Sequence, residues 1–211
     1  MTQADKRTSE PRDGIEIGLI RKDEGEVAGS VAARAFAPTP MPSVTMRGSE
    51  EKRTRLMKKA MKTLVTNMPG EVYVARSNGD VVGVMRAVES PECQPSRGVA
   101  MVKPLMMYAL LGRSAKRVLH FRGEWRRRDP GEPHLHLDPL AVAPEHQGQG
   151  IGSQLLERFS QIADDRRIGA YLETDAEANV RLYERFGFHV METKEIFGVT
   201  NYFMWREPRG G

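Results

Sequence analysis

The stretch from His134 to Arg167 narrows the choice of fold more than any other part of this chain. An alternating segment, HLHLDPLAV, leads through Gln147-Gly148-Gln149-Gly150-Ile151-Gly152 into a long amphipathic segment. Ile151, Leu155, Leu156, Phe159, Ile162 and Ala163 fall on one face of a helix expected over Gln149–Arg167. The segment before it reads as a strand over His134–Val142 whose phase changes partway. Leu135 and Leu137 are apolar at odd positions, whereas Leu140 and Val142 are apolar at even ones. Side chains alternate along a strand with period two, so this change implies one inserted residue near Asp138-Pro139. Pro139 has no amide hydrogen and is tolerated at such a bulge. A bulge here would push the strand off its neighbour and open a cleft in the sheet.

The rest of the chain surrounds this unit with alternating elements. Met1–Gly14 is polar, charged and without periodicity, and reads as a disordered tail. Ile15, Ile17 and Leu19 mark a strand, and Asp23-Glu24 open a helix through Phe36 that Pro38, Pro40 and Pro42 end. Ser49 caps a helix with an apolar stripe from Leu56 to Met68, closed by Pro69-Gly70. Val72–Val74 and Val81–Val88 are strands joined by the turn Ser77-Asn78-Gly79-Asp80. From Gly98 to about Arg128 the pattern is helical, broken by Pro104. Ala170–Thr174 is a short strand and Asn179–Phe186 a short helix, with Gly187 suited to its C-cap. Phe188–Phe197 and Asn201–Trp205 close the chain as an antiparallel pair. This order predicts a mixed α/β domain around one sheet over residues 15–208, with a basic helical insertion at about 97–130.

Composition excludes several classes. With 211 residues and 39% hydrophobic content the chain can bury a core. Thirty-two Lys+Arg against 28 Asp+Glu leave only +4, too little for a uniformly basic nucleic-acid surface. Cys93 stands alone, which excludes an intramolecular disulfide and a multi-cysteine zinc site. The longest apolar stretch, Leu105–Leu111, is too short to span a bilayer, and the first residues lack a signal-like apolar core. We therefore expect a cytoplasmic protein with no membrane association.

The glycine turn carries the chemistry. Its glycines let a ligand approach the backbone, and the free amides of the first helical turn form an anion site. It lacks the Lys and Ser/Thr of a P-loop, and its glycine spacing misses the dinucleotide fingerprint by one residue. Gln-x-x-Gly-x-Gly after Pro-Leu-Ala-Val resembles the acetyl-coenzyme A loop of the GCN5-related N-acetyltransferases (GNATs). Tyr171-Leu172-Glu173-Thr174 and the run Asn179-Val180-Arg181-Leu182-Tyr183-Glu184-Arg185-Phe186-Gly187-Phe188 are similar to that family's closing strand and helix. Within the family the combination looks most like the puromycin-acetyltransferase group. The likeness is specific over 134–190, a matter of layout over 15–90, and absent across 91–130.

The resemblance implies the GNAT acyl-CoA N-acyltransferase fold, a twisted central sheet with helices on both faces and a splayed strand pair. It implies acetyl-CoA as cofactor, with its pyrophosphate on the amides of Gln149, Gly150, Ile151 and Gly152, beside Gln147 and Gly148. The pantetheine arm would run along Leu140, Ala141 and Val142. Asn179 would contact the cofactor and Tyr183 would lie near its sulfur as a general acid. For the general base Glu173 comes first, with His136 and Asp138 also able to reach the cleft. The expected reaction is direct acetyl transfer to the primary amine of a small molecule. A peptide or protein acceptor, a non-catalytic coenzyme A sensor and a nucleotide-binding domain of other chemistry are the rivals.

Three further features are weighed against blander readings. His134 and His136 alternate on one strand face, but no third ligand stands at metal spacing, so no metal is expected. Cys93 has no His or Asp beside it in sequence, which disfavours a covalent nucleophile. Lys52–Lys62 and Arg113–Arg128 are basic, and solvated helix faces account for such runs better than a nucleic-acid partner. An exposed Met101–Leu111 surface would favour a homodimer.

Overall fold

At Asn78 and Gly79 φ is 51° and 90°, the left-handed pair that closes a two-residue hairpin with the twist of its own strands. This hairpin joins β2 (Glu71–Ser77) to β3 (Asp80–Glu89), and β1 (Ile15–Leu19) pairs with β2 on its far side. The computed structural model describes residues 13–94, 108–109 and 111–209. The expected tail before residue 13, the first part of the insertion up to 107, and most of the Met101–Leu111 surface lie outside them. The other elements are α1 (Gly25–Phe36), α2 (Pro40–Thr45), α3 (Glu50–Asn67), α4 (Ala115–Arg126), β4 (His134–Val142) and α5 (Ile151–Arg166). They are followed by β5 (Gly169–Thr174), α6 (Glu177–Arg185), β6 (His189–Ile196) and β7 (Val199–Arg206).

The strands form one sheet in the order β1-β2-β3-β4-β5-β7-β6. Among the described residues each neighbouring pair is antiparallel except β4–β5, which is parallel and joined through α5. A parallel pair needs a crossover of this kind, and the crossover lays α5 on the sheet. Leu155, Leu156 and Phe159 of α5 are fully buried against Met85, Leu135, Ala170 and Leu172. The opposite face is covered by α1 and α3, whose Ala28, Val31, Ala32 and Val65 meet Val72, Val74 and Val84. The α4 helix continues that cover: Val118 packs beside Met57, and Trp125 packs on the aromatic group of Tyr171, Phe203 and Trp205. The result is the mixed sheet with helices on both faces that the pattern predicts.

One local departure has a simple cause. The prolines after Phe36 end α1, yet Pro40 and Pro42 also open α2, because a proline in a first turn gives up an amide that would lack a partner anyway. Ser49 caps α3 as expected, its hydroxyl accepting from the Lys52 amide at 3.4 Å. The basic runs are drawn into pairs. Lys58 and Lys62 of α3 meet Glu26, and Arg128 bridges Glu124 and Glu192.

One buried ion pair fastens the edge of the sheet to α1. Arg76, 3% exposed, donates from Nε and Nη2 to Glu24 at 2.7 and 2.8 Å and from Nη2 to the Leu19 carbonyl. The hydrogen bonds from Arg76 pull the Glu24 carboxyl below its usual range against the opposing effect of burial. The contribution of Glu24 is complete above its unfolded pKa, about 4.3, and fades as pH falls through the lower folded value. Glu24→Gln leaves Arg76 buried with an incomplete partner and should cost about 3 kcal/mol at neutral pH. Urea unfolding at a series of pH values checks this, and the gap to wild type should close in acid.

Candidate functional site

The phase change in β4 is a bulge. Met85 of β3 faces Leu140 and Ala87 faces Leu137, so Asp138 and Pro139 together stand opposite Arg86. The extra residue returns Leu140 and Val142 to the face of Leu135 and Leu137, and all four pack in the α5 core. Arg86 serves the irregularity: buried, it donates from Nη1 to the Asp138 carbonyl at 2.9 Å and from Nε to the Pro69 carbonyl at 2.8 Å. Beyond the bulge β4 stays on β3, through Leu140, Ala141 and Val142. Its ladder to β5 covers His134↔Gly169, Leu135↔Ala170 and His136↔Tyr171 and then stops. From there the two parallel strands diverge, and the β5 side of residues 140–142 is left without a strand among the described residues.

At the far end of this fork lies the glycine turn. After Val142 a 3-10 turn over Pro144–His146 leads to Gln147, and Gly150 caps α5 at φ 80°, in the left-handed region that favours glycine. A Cβ built on Gly148 or Gly150 would meet nothing within 4 Å, and one on Gly152 only the Val142 methyl at 3.7 Å. The turn is therefore open and its backbone faces outward. The first bond into α5 runs from the Gln154 amide to the Gly150 carbonyl. The amides of Ile151, Gly152 and Ser153 precede it and have no helical acceptor. Gln147 and Gln149 fold back instead of reaching out, donating to the carbonyls of Val142 (3.0 Å) and Glu145 (3.3 Å). Arg34 of α1 clamps Glu145 through both carboxylate oxygens, so the loop is fixed to the body of the protein. Ile151, 1% exposed, anchors the helix start in the core.

Where β4 and β5 part, the structure gathers carboxylates. His136 donates from Nε2 to Glu173 Oε2 at 2.8 Å, and the Glu173 side chain is 4% exposed. Burial disfavours a charged His136, but Glu173, Asp129 and Cys93 outweigh it and hold its pKa well above the usual histidine value. Asp138, the third candidate base, pairs with Arg122 of α4 at 3.7 Å. Asp175, just past β5, accepts from the Met41 amide at 2.7 Å and ties α2 to the mouth of the fork. Burial raises its carboxyl above the ordinary range.

The spacing of Asn179 and Tyr183 predicts a shared helix face, but the structure treats the two differently. Asn179 is exposed, whereas Tyr183 is buried beside Val180 and edge-on to Phe188 at 6.1 Å between centroids. Burial, then the Asp175 charge, raises the phenol pKa, so Tyr183 remains a protonated donor throughout the working range. Gly187 at φ 88° ends α6, and the Phe188 amide returns to the Tyr183 carbonyl.

With that geometry the comparisons with known proteins agree. The family model of the acetyltransferase (GNAT) family matches residues 40–188. The chain belongs to the GNAT acetyltransferase family. GNAT members are N-acetyltransferases that use acetyl-CoA, and so is this protein. A histone acetyltransferase HPA2 and related acetyltransferase from Corynebacterium glutamicum is 20% identical over 92% of this chain and 97% of its own, with TM-score 0.72. Arylalkylamine N-acetyltransferase 2 from Aedes aegypti is 14% identical over 93% and 100% of the two chains, with TM-score 0.65. A polyamine N-acetyltransferase from Drosophila melanogaster is 15% identical over 90% and 98%, with TM-score 0.60. Among the described residues of this GNAT protein no helix is long and apolar enough to cross a membrane.

Two sites have neighbours that sequence spacing does not show. The His134–His136 pair does not stand alone, because Cys93 and Asp129 come within ligand distance of it. Cys93 likewise gains neighbours absent from its sequence surroundings, Asp129 at 3.7 Å and His134 at 3.8 Å. Sequence reading also passes over Asp175 as a member of the fork. None of these has a local signal: each is brought in by strand register or by a loop far away in the chain.

Proposed function

We propose that this protein transfers the acetyl group of acetyl-CoA directly to the primary amine of a small molecule, with no covalent enzyme intermediate. The observation that carries this reading is the fork itself, with outward amides at one end and a buried carboxylate–imidazole pair at the other. Bound there, acetyl-CoA supplies an activated acetyl thioester. Amides of Gln149, Gly150, Ile151 and Gly152 hold its pyrophosphate at the positive end of α5. Leu140, Ala141 and Val142 offer the pantetheine arm the β4 edge that faces away from β3, and Asn179 offers a polar contact from the surface of α6. Gln147 and Gly148 lie beside those amides and shape the loop, the Gln147 side chain bonding to the Val142 carbonyl. The likeness to the puromycin-acetyltransferase group, which also points to small acceptors, rests on the loop and closing-helix residues.

The acceptor arrives as an ammonium of pKa about 10 and must lose a proton before it attacks. Glu173 takes that proton through water, and His136 is the positioning residue that fixes the carboxylate by its Nε2–H. Asp175 adds a second negative group at the mouth, which favours a cationic substrate. Tyr183 Oη carries the proton that the coenzyme thiolate takes up. Support for an amine acceptor also comes from structural neighbours named for arylalkylamines and polyamines.

Three variants test this assignment. Gly152→Asp puts a carboxylate in the first turn of α5, which the helix dipole welcomes. The fold should be unharmed while coenzyme A affinity falls at least about tenfold, because the anion site is occupied. Calorimetry with coenzyme A and a thermal melt read the two quantities, and unchanged affinity overturns the cradle. Glu173→Gln should lower turnover on the order of 100-fold with coenzyme A affinity intact. An acceptor amine already neutral at pH 7 should recover most of that loss. Tyr183→Phe keeps the buried ring and should lower kcat on the order of 100-fold while leaving KM for acetyl-CoA nearly unchanged.

A further inference from the structure

Four side chains from three separate segments converge under α4, on the sheet face opposite α5. Cys93 lies in the loop after β3, Asp129 follows α4, and His134 and His136 stand on β4. One ligand atom from each lies within 4.8 Å of all the others. Cys93 Sγ is 3.7 Å from Asp129 Oδ2 and 3.8 Å from His134 Nε2. Asp129 Oδ1 is 3.8 Å from His134 Nε2, and Asp129 Oδ2 is 3.5 Å from His136 Nδ1. A tetrahedral zinc ion with bonds of about 2.0–2.3 Å holds its ligand atoms about 3.3–3.6 Å apart. Contractions of at most about 1.5 Å therefore close these four groups around an ion.

The placement of protons separates this cluster from a chance meeting of polar groups. His134 turns Nδ1 to the Glu132 carbonyl at 2.7 Å. A carbonyl only accepts, so Nδ1 carries the hydrogen and Nε2 presents a lone pair to Cys93 and Asp129. His136 is wired the opposite way: Nε2–H goes to Glu173, and Nδ1 faces into the cluster, 3.5 Å from Asp129 Oδ2. That Nδ1 is buried without a hydrogen-bond partner, on a side chain only 9% exposed. A buried ring nitrogen without a partner costs free energy unless something is bound to it. Histidines that bind metal have this arrangement, the remote nitrogen held by a carbonyl or carboxylate and the other free.

We propose that Cys93, Asp129, His134 and His136 bind one zinc ion. Binding displaces the remaining protons of Cys93 and His136, so that a thiolate, a carboxylate and two neutral imidazoles balance the ion's charge, and the sulfur and nitrogen donors select zinc over magnesium or calcium. Four protein ligands fill a tetrahedral shell, so the site is structural. It pins the loop after β3 and the loop after α4 onto β4, and through His136 it steadies Glu173. A surface cavity of about 500 Å³, lined by Ser90, Gln94 and Asp129 among others, gives the ion a way in.

The test reads metal and not acetyl transfer, so it stands whether or not the amine assignment holds. Full-length protein purified from zinc-supplemented cells should carry one zinc per chain by elemental mass spectrometry. Apoprotein prepared with a chelator and titrated with Co²⁺ alone should develop tetrahedral d–d bands and a thiolate charge-transfer band, both saturating at one equivalent. Cys93→Ser should remove the charge-transfer band, and it and His134→Gln should each weaken Co²⁺ binding at least about tenfold. Should either variant fail to fold by circular dichroism, X-ray absorption of the wild-type zinc protein decides, with one sulfur and the remainder nitrogen or oxygen expected. Absence of stoichiometric zinc with a featureless cobalt titration overturns the proposal. So does a zinc shell without sulfur, or binding that both folded variants retain at full strength.

Discussion

Everything the site can do depends on one additional residue in β4. Without it, Leu140 and Val142 would turn away from the α5 core and Ala141 would turn into it, because strand side chains alternate with period two. Asp138 and Pro139 sharing the single partner Arg86 restores the pattern. The same step ends the β4–β5 ladder at His136 and Tyr171. A gap between central parallel strands would ordinarily waste backbone hydrogen bonds. Here Arg86, buried at the bulge, satisfies the Asp138 carbonyl, so the irregularity is stable before any ligand arrives.

The fork is also polarised along its length. Its open end meets the first turn of α5, where unpaired amides and the helix dipole give a positive field suited to phosphate. Glu173, where the strands part, and Asp175, on the β5 side of the mouth, are both more than half buried and suit a cation. A donor that is anionic at one end and an acceptor that is cationic therefore enter with opposite preferences, and their reactive ends meet between. Neither end works through exposed surface charge, which salt would screen. Of the basic residues on and after α3 and α4, Lys58 and Lys62 pair with Glu26, Arg122 with Asp138 and Arg128 with Glu192.

Much of this was legible from periodicity. The bounds of β4, the hairpin at Asn78-Gly79, the apolar face of α5 and the final strand pair follow from spacing alone, since each is a local pattern with a local cause. The bulge was legible too, because an inserted residue is the simplest way for an alternating strand to change phase. Less local features were hidden. The short α2 was masked by prolines that serve both as stop and as start. Spacing placed Asn179 and Tyr183 together but could not say that one faces water and the other the core. Cys93, Asp129 and His136 meet only because Val88 registers with His136 and because α4 returns its C-terminal loop to that edge. No window of sequence spans those events.

Burial of Tyr183 bears directly on whether it can serve as an acid. A phenol of pKa about 10 faces a thiolate of about 8.5, an uphill transfer in water. Burial pushes the phenol further up, which taken alone makes it a poorer donor. Yet a thiolate released at the same place loses the same solvent, and desolvation raises its basicity as well. The difference between the two groups, not either value, sets the cost of the transfer, and a shared dry site keeps that difference small. The carboxylate of Asp175 sharpens the point, because a negative charge nearby penalises a thiolate left unprotonated as much as a tyrosinate. A tyrosine held in the core beside Phe188 is therefore better placed for this task than an exposed one, provided that the sulfur comes to it.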